Sequence, residues 1–254
     1  RVLAPAFVDH HVHLLNLGLA LLYRAEPSPT FIDLAGSRSL AAIGEAQRRI
    51  AGRVVRTPLR SSPSLSKSTG APVYLKLESQ QVTGSFKVRG AAAKINALTA
   101  KERDEGIIAA SAGNHAQGVA LAARHLGISA VVVMPAVTPE IKVDAVRKLD
   151  ARVVIHGDDF EAACAHASEI AAAEDLTFIH PYDDPDVITG QGTIALELFR
   201  QCEAPPDYLF ICVGGGGLAA GMALVARYLQ PGIRIIGVEA EESASMKAAF
   251  EAGH

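Results

Sequence analysis

From about residue 70 onward the chain alternates short apolar, β-branched runs with alanine-rich stretches of helical period, and few architectures accept that pattern. The runs are PVYLKLE, GIIAAS, AVVVMP, ARVVIHG, TFIHP, DYLFICVG and IRIIGVEA. Between them lie FKVRGAAAKINAL, HAQGVALAARHLG, PEIKVDAVRKLD, FEAACAHASEIAAAE, GTIALELFRQ and LAAGMALVARYLQ. A strand apolar along its whole length has to be covered on both faces, and a helix between consecutive strands supplies the cover. The expected class is α/β with open, mostly parallel sheets.

Residues 1–36 read differently: they show no clear period and end in a Pro/Ser cluster. They are expected to form an N-terminal extension with a boundary near Ser37. SLAAIGEAQRRIAGRV then reads as an amphipathic helix, and RTPL opens an extended segment.

Bulk properties exclude several function classes. The net charge is -3 and the isoelectric point ≈ 6.3, which leaves no basic footprint for nucleic acid. No apolar run is long enough to span a bilayer. Asp9, His10, His11 and His13 break the apolar stretch at the start, so a signal peptide is not expected, and with Arg1 first the natural start is expected upstream. Cys164, Cys202 and Cys212 lack C-x-x-C spacing. They read as free thiols of a cytoplasmic protein, with no metal site.

Three segments carry chemistry. In TGSFKVRGA, Gly84 ends a strand and Ser85 is a suitable N-cap, so Lys87 falls in the first helical turn. The helix macrodipole is positive there and disfavours an ammonium group, as burial would too. A neutral amine is what Schiff-base chemistry requires; a solvated lysine is the plain alternative for this segment alone. SAGNHAQG follows an apolar strand and opens a helix, where small residues expose backbone N–H groups to an anion, although a simple βα turn reads the same way. ICVGGGGLAAG places four glycines between strand and helix, which lets the backbone close around a phosphate. Gly214, Gly216 and Ala219 also satisfy a relaxed dinucleotide pattern, with Glu239 ending the next strand as its ribose carboxylate. That rival, a nucleotide-dependent oxidoreductase, leaves Lys87 and Asn114 without a role.

Taken together, KLESQQVTGSFKVRGA, SAGNHAQGVA, HPYDDPDVITGQGTIALE and GGGGLAAG resemble the fold type II pyridoxal-phosphate enzymes, and most closely the threonine dehydratase and serine dehydratase/racemase group. The resemblance runs from about residue 38 onward. It implies that Lys87 forms the Schiff base with pyridoxal phosphate and afterwards moves the substrate's Cα proton. Phe86 would lie by the cofactor ring, Asn114 would bind its 3-hydroxyl, and Gly214, Gly215, Gly216, Gly217 and Leu218 would hold its phosphate. Ser111, Ala112, Gly113, Asn114 and His115 would grip the amino acid's carboxylate. The implied reaction converts threonine to 2-oxobutanoate and ammonia, and serine to pyruvate.

The resemblance further implies a large domain from 37–108 and 181–254, interrupted by a small mobile domain from 109–180, and a homodimer. Ala112 stands where racemases of the group carry a proton-transferring serine, which favours dehydration. The chain stops before the region that supplies a contact to the pyridine nitrogen and the closing strands. Either truncation or a reduced fold is therefore expected, and a cofactor binder without turnover is the non-enzymatic alternative. No regulatory domain follows, so control by isoleucine is not expected. Ser245 replaces the carboxylate that completes a divalent-ion site in some relatives, so no metal is assigned. LAPAFVDHHVHL resembles the D-x-H-x-H strand of amidohydrolases through Asp9, His11 and His13, but further ligands are lacking, and the stretch reads as a fused remnant or packing extension.

Overall fold

A computed structural model describes residues 2–5, 21–24 and 40–253. Asp9, His10, His11, His13 and the boundary at Ser37 lie outside the described residues. Strands β1 (Val2–Pro5), β2 (Leu21–Arg24), β3 (Leu59–Ser61), β4 (Val73–Lys76), β9 (Tyr208–Cys212) and β10 (Arg234–Glu239) make one sheet in the order β2-β10-β9-β1-β4-β3. Strands β5 (Ile107–Ala110), β6 (Ala130–Met134), β7 (Arg152–Ile155) and β8 (Thr177–Phe178) make a second, all-parallel sheet in the order β7-β6-β5-β8. Every apolar run expected as a strand contains one. The α/β class with open, mostly parallel sheets is as the alternation required.

Two short stretches of the N-terminal extension join the large sheet. β1 runs parallel between β4 and β9, while β2 closes the β10 edge antiparallel. Neither belongs to the alternation of strands and helices that begins near residue 70, so the sequence pattern missed both.

In the smaller sheet, alternate residues of each strand feed opposite cores. Ile107, Ala109, Val132 and Met134 pack with helices α3 (Lys87–Ala97), α5 (Asn114–Leu126) and α6 (Glu140–Arg147). Ile108, Ala110, Val131 and Val133 pack with helix α7 (Phe160–Ala173) through Ala163 and Ala167. The large sheet buries Leu209 and Ile211 against helices α8 (Pro185–Gln201) and α9 (Gly217–Leu229).

Helix α8 opens at Pro185 rather than at Gly192, where the sequence pattern put it. Asp184 caps it, its carboxylate accepting the N–H groups of Asp186 at 2.7 Å and Val187 at 3.1 Å. Gly190 and Gly192 look like breakers in sequence, yet they are contact points. A Cβ on Gly190 would lie 2.6 Å from the Arg89 carbonyl oxygen, and one on Gly221 of α9 would lie 2.3 Å from that of Ile188. Helix α8 therefore touches α3 and α9 backbone to backbone.

A buried charge cluster ties the same elements together. Arg89 donates to Glu78 at 2.8 and 2.9 Å and to Glu197 at 2.8 and 2.9 Å. Lys76 donates to Glu197 and to the Thr57 carbonyl, each at 2.6 Å. Two cations face two carboxylates, so the cluster is neutral as a unit. Two residues before Arg89 in the chain stands Lys87.

Candidate active site

Phe86, Lys87, Tyr182 and the run Cys212–Ala219 surround one cavity of ≈ 240 Å³. Helix α3 opens at Lys87, whose backbone N–H donates to Ser85 Oγ at 3.2 Å. Ser85 thus does a cap's work from one position too early. Phe86, already helical at φ -63° and ψ -20°, occupies the cap position itself. The Lys87 ammonium Nζ donates to the Pro181 carbonyl at 2.8 Å and lies 5.4 Å from the Phe86 ring centre. Burial lowers its pKa to about 8. About a tenth of it is uncharged at pH 7, far more than for a surface lysine.

The glycine loop follows β9 and leads into α9. Gly216 has φ 86°, a left-handed conformation that suits glycine. A Cβ on Gly215 would fall 2.3 Å from the Tyr182 ring, so that position admits no side chain. Around Gly214 the space is open, with nothing within 4 Å of an added Cβ. The first-turn N–H groups of α9 have no carbonyl within the helix to bond, and they belong to residues lining the cavity. That is the geometry of an anion site.

Ser111, Ala112, Gly113, Asn114 and His115 are not among the residues lining this cavity. Their turn follows β5, where Ser111 Oγ accepts the Gly113 N–H at 3.2 Å. A close helix contact holds it near: a Cβ on Gly118 of α5 would lie 3.2 Å from Val88 Cα. His115 is buried, and its Nε2 pairs with the Ile179 carbonyl at 2.9 Å. A carbonyl only accepts, so Nε2 carries the proton and Nδ1 keeps its lone pair. Burial first, and then the nearby charge of Lys87, push this histidine down to about 3, against the pull of its carbonyl partner. Nδ1 has no partner among the described residues.

Tyr182, Cys212 and Val213 line the cavity without having been singled out as site residues, and Ala219 entered only through the rival pattern. Tyr182 sits in HPYDDPDVITGQGTIALE, where nothing in the local period marks it. Cys212 ends β9, and burial pushes its thiol up to about 11, so it stays protonated. Glu239, the ribose carboxylate of the rival reading, accepts the N–H groups of Met246 and Lys247, both at 2.9 Å. Both of its oxygens are thus engaged by backbone.

A space of this size suits a single small ring carrying a phosphate. Backbone donors at a helix start, an amine of lowered basicity and aromatic walls are the groups that a phosphorylated aldehyde needs. The residues present fit pyridoxal phosphate.

Comparison with known proteins bears on the same residues. The family model of pyridoxal-phosphate dependent enzymes matches residues 50–254. L-threonine dehydratase biosynthetic IlvA of Pasteurella multocida is 51% identical over 197 residues, covering 78% of this chain and 38% of that protein. The chain spans less than two thirds of the length of such curated relatives. Among solved structures, maize serine racemase superimposes with a TM-score of 0.82 at 35% identity, covering 85% of this chain and 65% of that one. The processed form of threonine deaminase isoform 2 from Solanum lycopersicum gives 0.78 at 40% identity, covering 92% and 67%.

Proposed function

This chain belongs to the pyridoxal-phosphate dependent enzymes, and from that premise we propose that it deaminates L-threonine to 2-oxobutanoate and ammonia, and L-serine to pyruvate. The observation that carries the proposal is Lys87, a buried amine of lowered pKa on the wall of a cavity shared with a glycine loop and a helix start. The 51% identity to a threonine dehydratase supports the choice of reaction.

In this reading the backbone N–H groups of Gly214 to Gly217 and Leu218 hold the phosphate, Phe86 walls the ring, and Asn114 binds its hydroxyl. The turn Ser111–His115 takes the substrate carboxylate, with His115 contributing a neutral ring that leaves the anion's charge to the backbone. Bound pyridoxal phosphate supplies an aldehyde for amines and an electron sink for charge developing at the substrate Cα. The Lys87 amine removes the Cα proton, and the β-hydroxyl leaves with a proton as water. The released enamine tautomerises to an imine that water hydrolyses to the 2-oxo acid and ammonia. Ala112 has no group to move a proton on the opposite face, so elimination is served and epimerisation is not.

The proposal extends to the whole molecule. The smaller sheet and its helices, within 109–180, form a mobile unit that closes over the substrate and excludes water. Strand β5 crosses the 108/109 line, so the hinge lies at its ends rather than within it. A homodimer working in the cytoplasm is the expected state. Among the described residues no helix is long and apolar enough to cross a membrane.

The test is the visible spectrum of the full chain with added pyridoxal phosphate, for wild type and Lys87→Ala, followed by threonine with 2-oxobutanoate assayed. A band lost in the variant, with keto acid formed by wild type, supports the reading. A band without keto acid leaves a cofactor binder, D-serine formed from L-serine turns the assignment to a racemase, and no band removes the cofactor assignment.

A further inference from the structure

We propose that Tyr182 is a positioning residue for Lys87: its ring, seated on the glycine loop, fixes the Pro181 carbonyl that binds the lysine amine and so sets where that amine points. The inference rests on the reading of Lys87 as the reactive amine.

The segment from His180 to Asp184 crosses the site between β8 and α8, and it is tied down along its length. A Cβ on Gly215 would lie 2.3, 2.4 and 2.5 Å from Cγ, Cδ1 and Cδ2 of Tyr182, so the ring rests directly on that glycine. A Cβ on Gly217 would lie 2.6 Å from the Tyr182 carbonyl oxygen, so the backbone of Tyr182 is pressed on the loop as well. On the other side, His180 Nδ1 accepts the N–H groups of Asp183 at 2.7 Å and Tyr182 at 3.4 Å. The His180 ring meets the Tyr182 ring edge-on at 4.7 Å. Beyond them Asp184 caps α8 and pairs with Lys94 of α3 at 2.9 Å.

Pro181 stands between these anchors with its own φ restricted by the ring. Its carbonyl is therefore fixed in space, and the 2.8 Å bond from Lys87 Nζ makes it the amine's anchor. An uncharged amine spending one N–H there has its lone pair directed elsewhere, from a position on the cavity wall. Gly215 and Gly217 then have a reason beyond phosphate binding: the loop must be bare at these two positions for the tyrosine to lie on it.

The test needs no cofactor. Acetic anhydride labels uncharged amines, and mass spectrometry of the Lys87 peptide across the alkaline range gives its labelling midpoint. His115 and His180, the titratable groups coupled to Lys87, are both held below the ordinary histidine value by burial and stay neutral in that range. Wild type should show a midpoint near 8, and Tyr182→Phe, which keeps the ring, should match it. Tyr182→Ala opens the wall to water and frees the carbonyl. Its midpoint should climb toward 10.5, by about one pH unit or more, a tenfold loss of uncharged amine at neutral pH.

Buried Lys76 is the control, because general loosening would label it too. Should Tyr182→Ala expose Lys76, Gly215→Ala, which displaces the ring from the other side, decides with the same expected climb. A midpoint unchanged in the folded variant, or a wild-type midpoint already at 10.5, overturns the proposal. Borohydride trapping of pyridoxal phosphate on wild-type Lys87 tests the underlying reading separately.

Discussion

At the scale of the residue, Lys87 is kept where its charged form is disfavoured, and this has a thermodynamic signature. Its folded pKa of about 8 lies below the ordinary 10.5, so between those values the unfolded chain binds more protons than the folded one. Stability contributed by this group therefore rises with pH across that window, and the penalty is full below pH 8. Lys87→Met, in the absence of cofactor, should raise stability at pH 7 by about 1–3 kcal/mol while abolishing cofactor capture. Urea titrations at pH 7 and at the alkaline end check this, and a gap that fails to shrink as pH rises counts against it. His115 has the same sign of effect, lower on the pH scale. Its folded pKa of about 3 sits below 6.5, so stability is lost as pH falls from 6.5 toward 3. His115→Gln should flatten acid unfolding, the full effect being on the order of 4 kcal/mol.

At the scale of the element, helix α8 holds the site's two halves in register. It touches α3, which carries Lys87, at Gly190, and α9, which follows the glycine loop, at Gly192 and Gly221. Gly221→Val should force these helices apart, costing roughly 2 kcal/mol or more through overpacking and weakening cofactor affinity although it touches no ligand. Calorimetry with and without pyridoxal phosphate separates the two effects; an unchanged affinity would show that the register does not depend on this contact. The buried cluster of Arg89, Glu78, Glu197 and Lys76 reinforces the same crossing. Arg89→Met leaves carboxylates buried without their partner and should cost about 3–5 kcal/mol, read from the shift in denaturation midpoint.

At the scale of the whole molecule, β1 lies inside the large sheet, paired to β4 at four positions and to β9 at two. A chain beginning at residue 37 would lose it, leaving β4 and β9 with unpaired inner edges. Such a chain should melt at lower temperature and aggregate more readily than the full one. Equal melting temperatures would show that β1 adds nothing to the sheet.

The class of fold was legible in the sequence because its signal is local. Continuous apolar strands such as Ala130–Met134 and amphipathic helices such as Asn114–Leu126 announce themselves within a few residues. The helix start at Lys87 and the glycine loop were legible for the same reason, each being a backbone device written in consecutive residues, whereas the turn at Ser111 is not among the residues lining the cavity. The start of α8 was not legible, since Gly190 and Gly192 make sense only against the helices they touch. Nor was Tyr182, whose part in the site depends on a glycine 33 positions later in the chain being bare enough to receive its ring. Local chemistry determined which groups this protein carries; only packing between distant segments decided where its lysine is held and how far its charge is suppressed, because burial and close approach are properties of the folded whole.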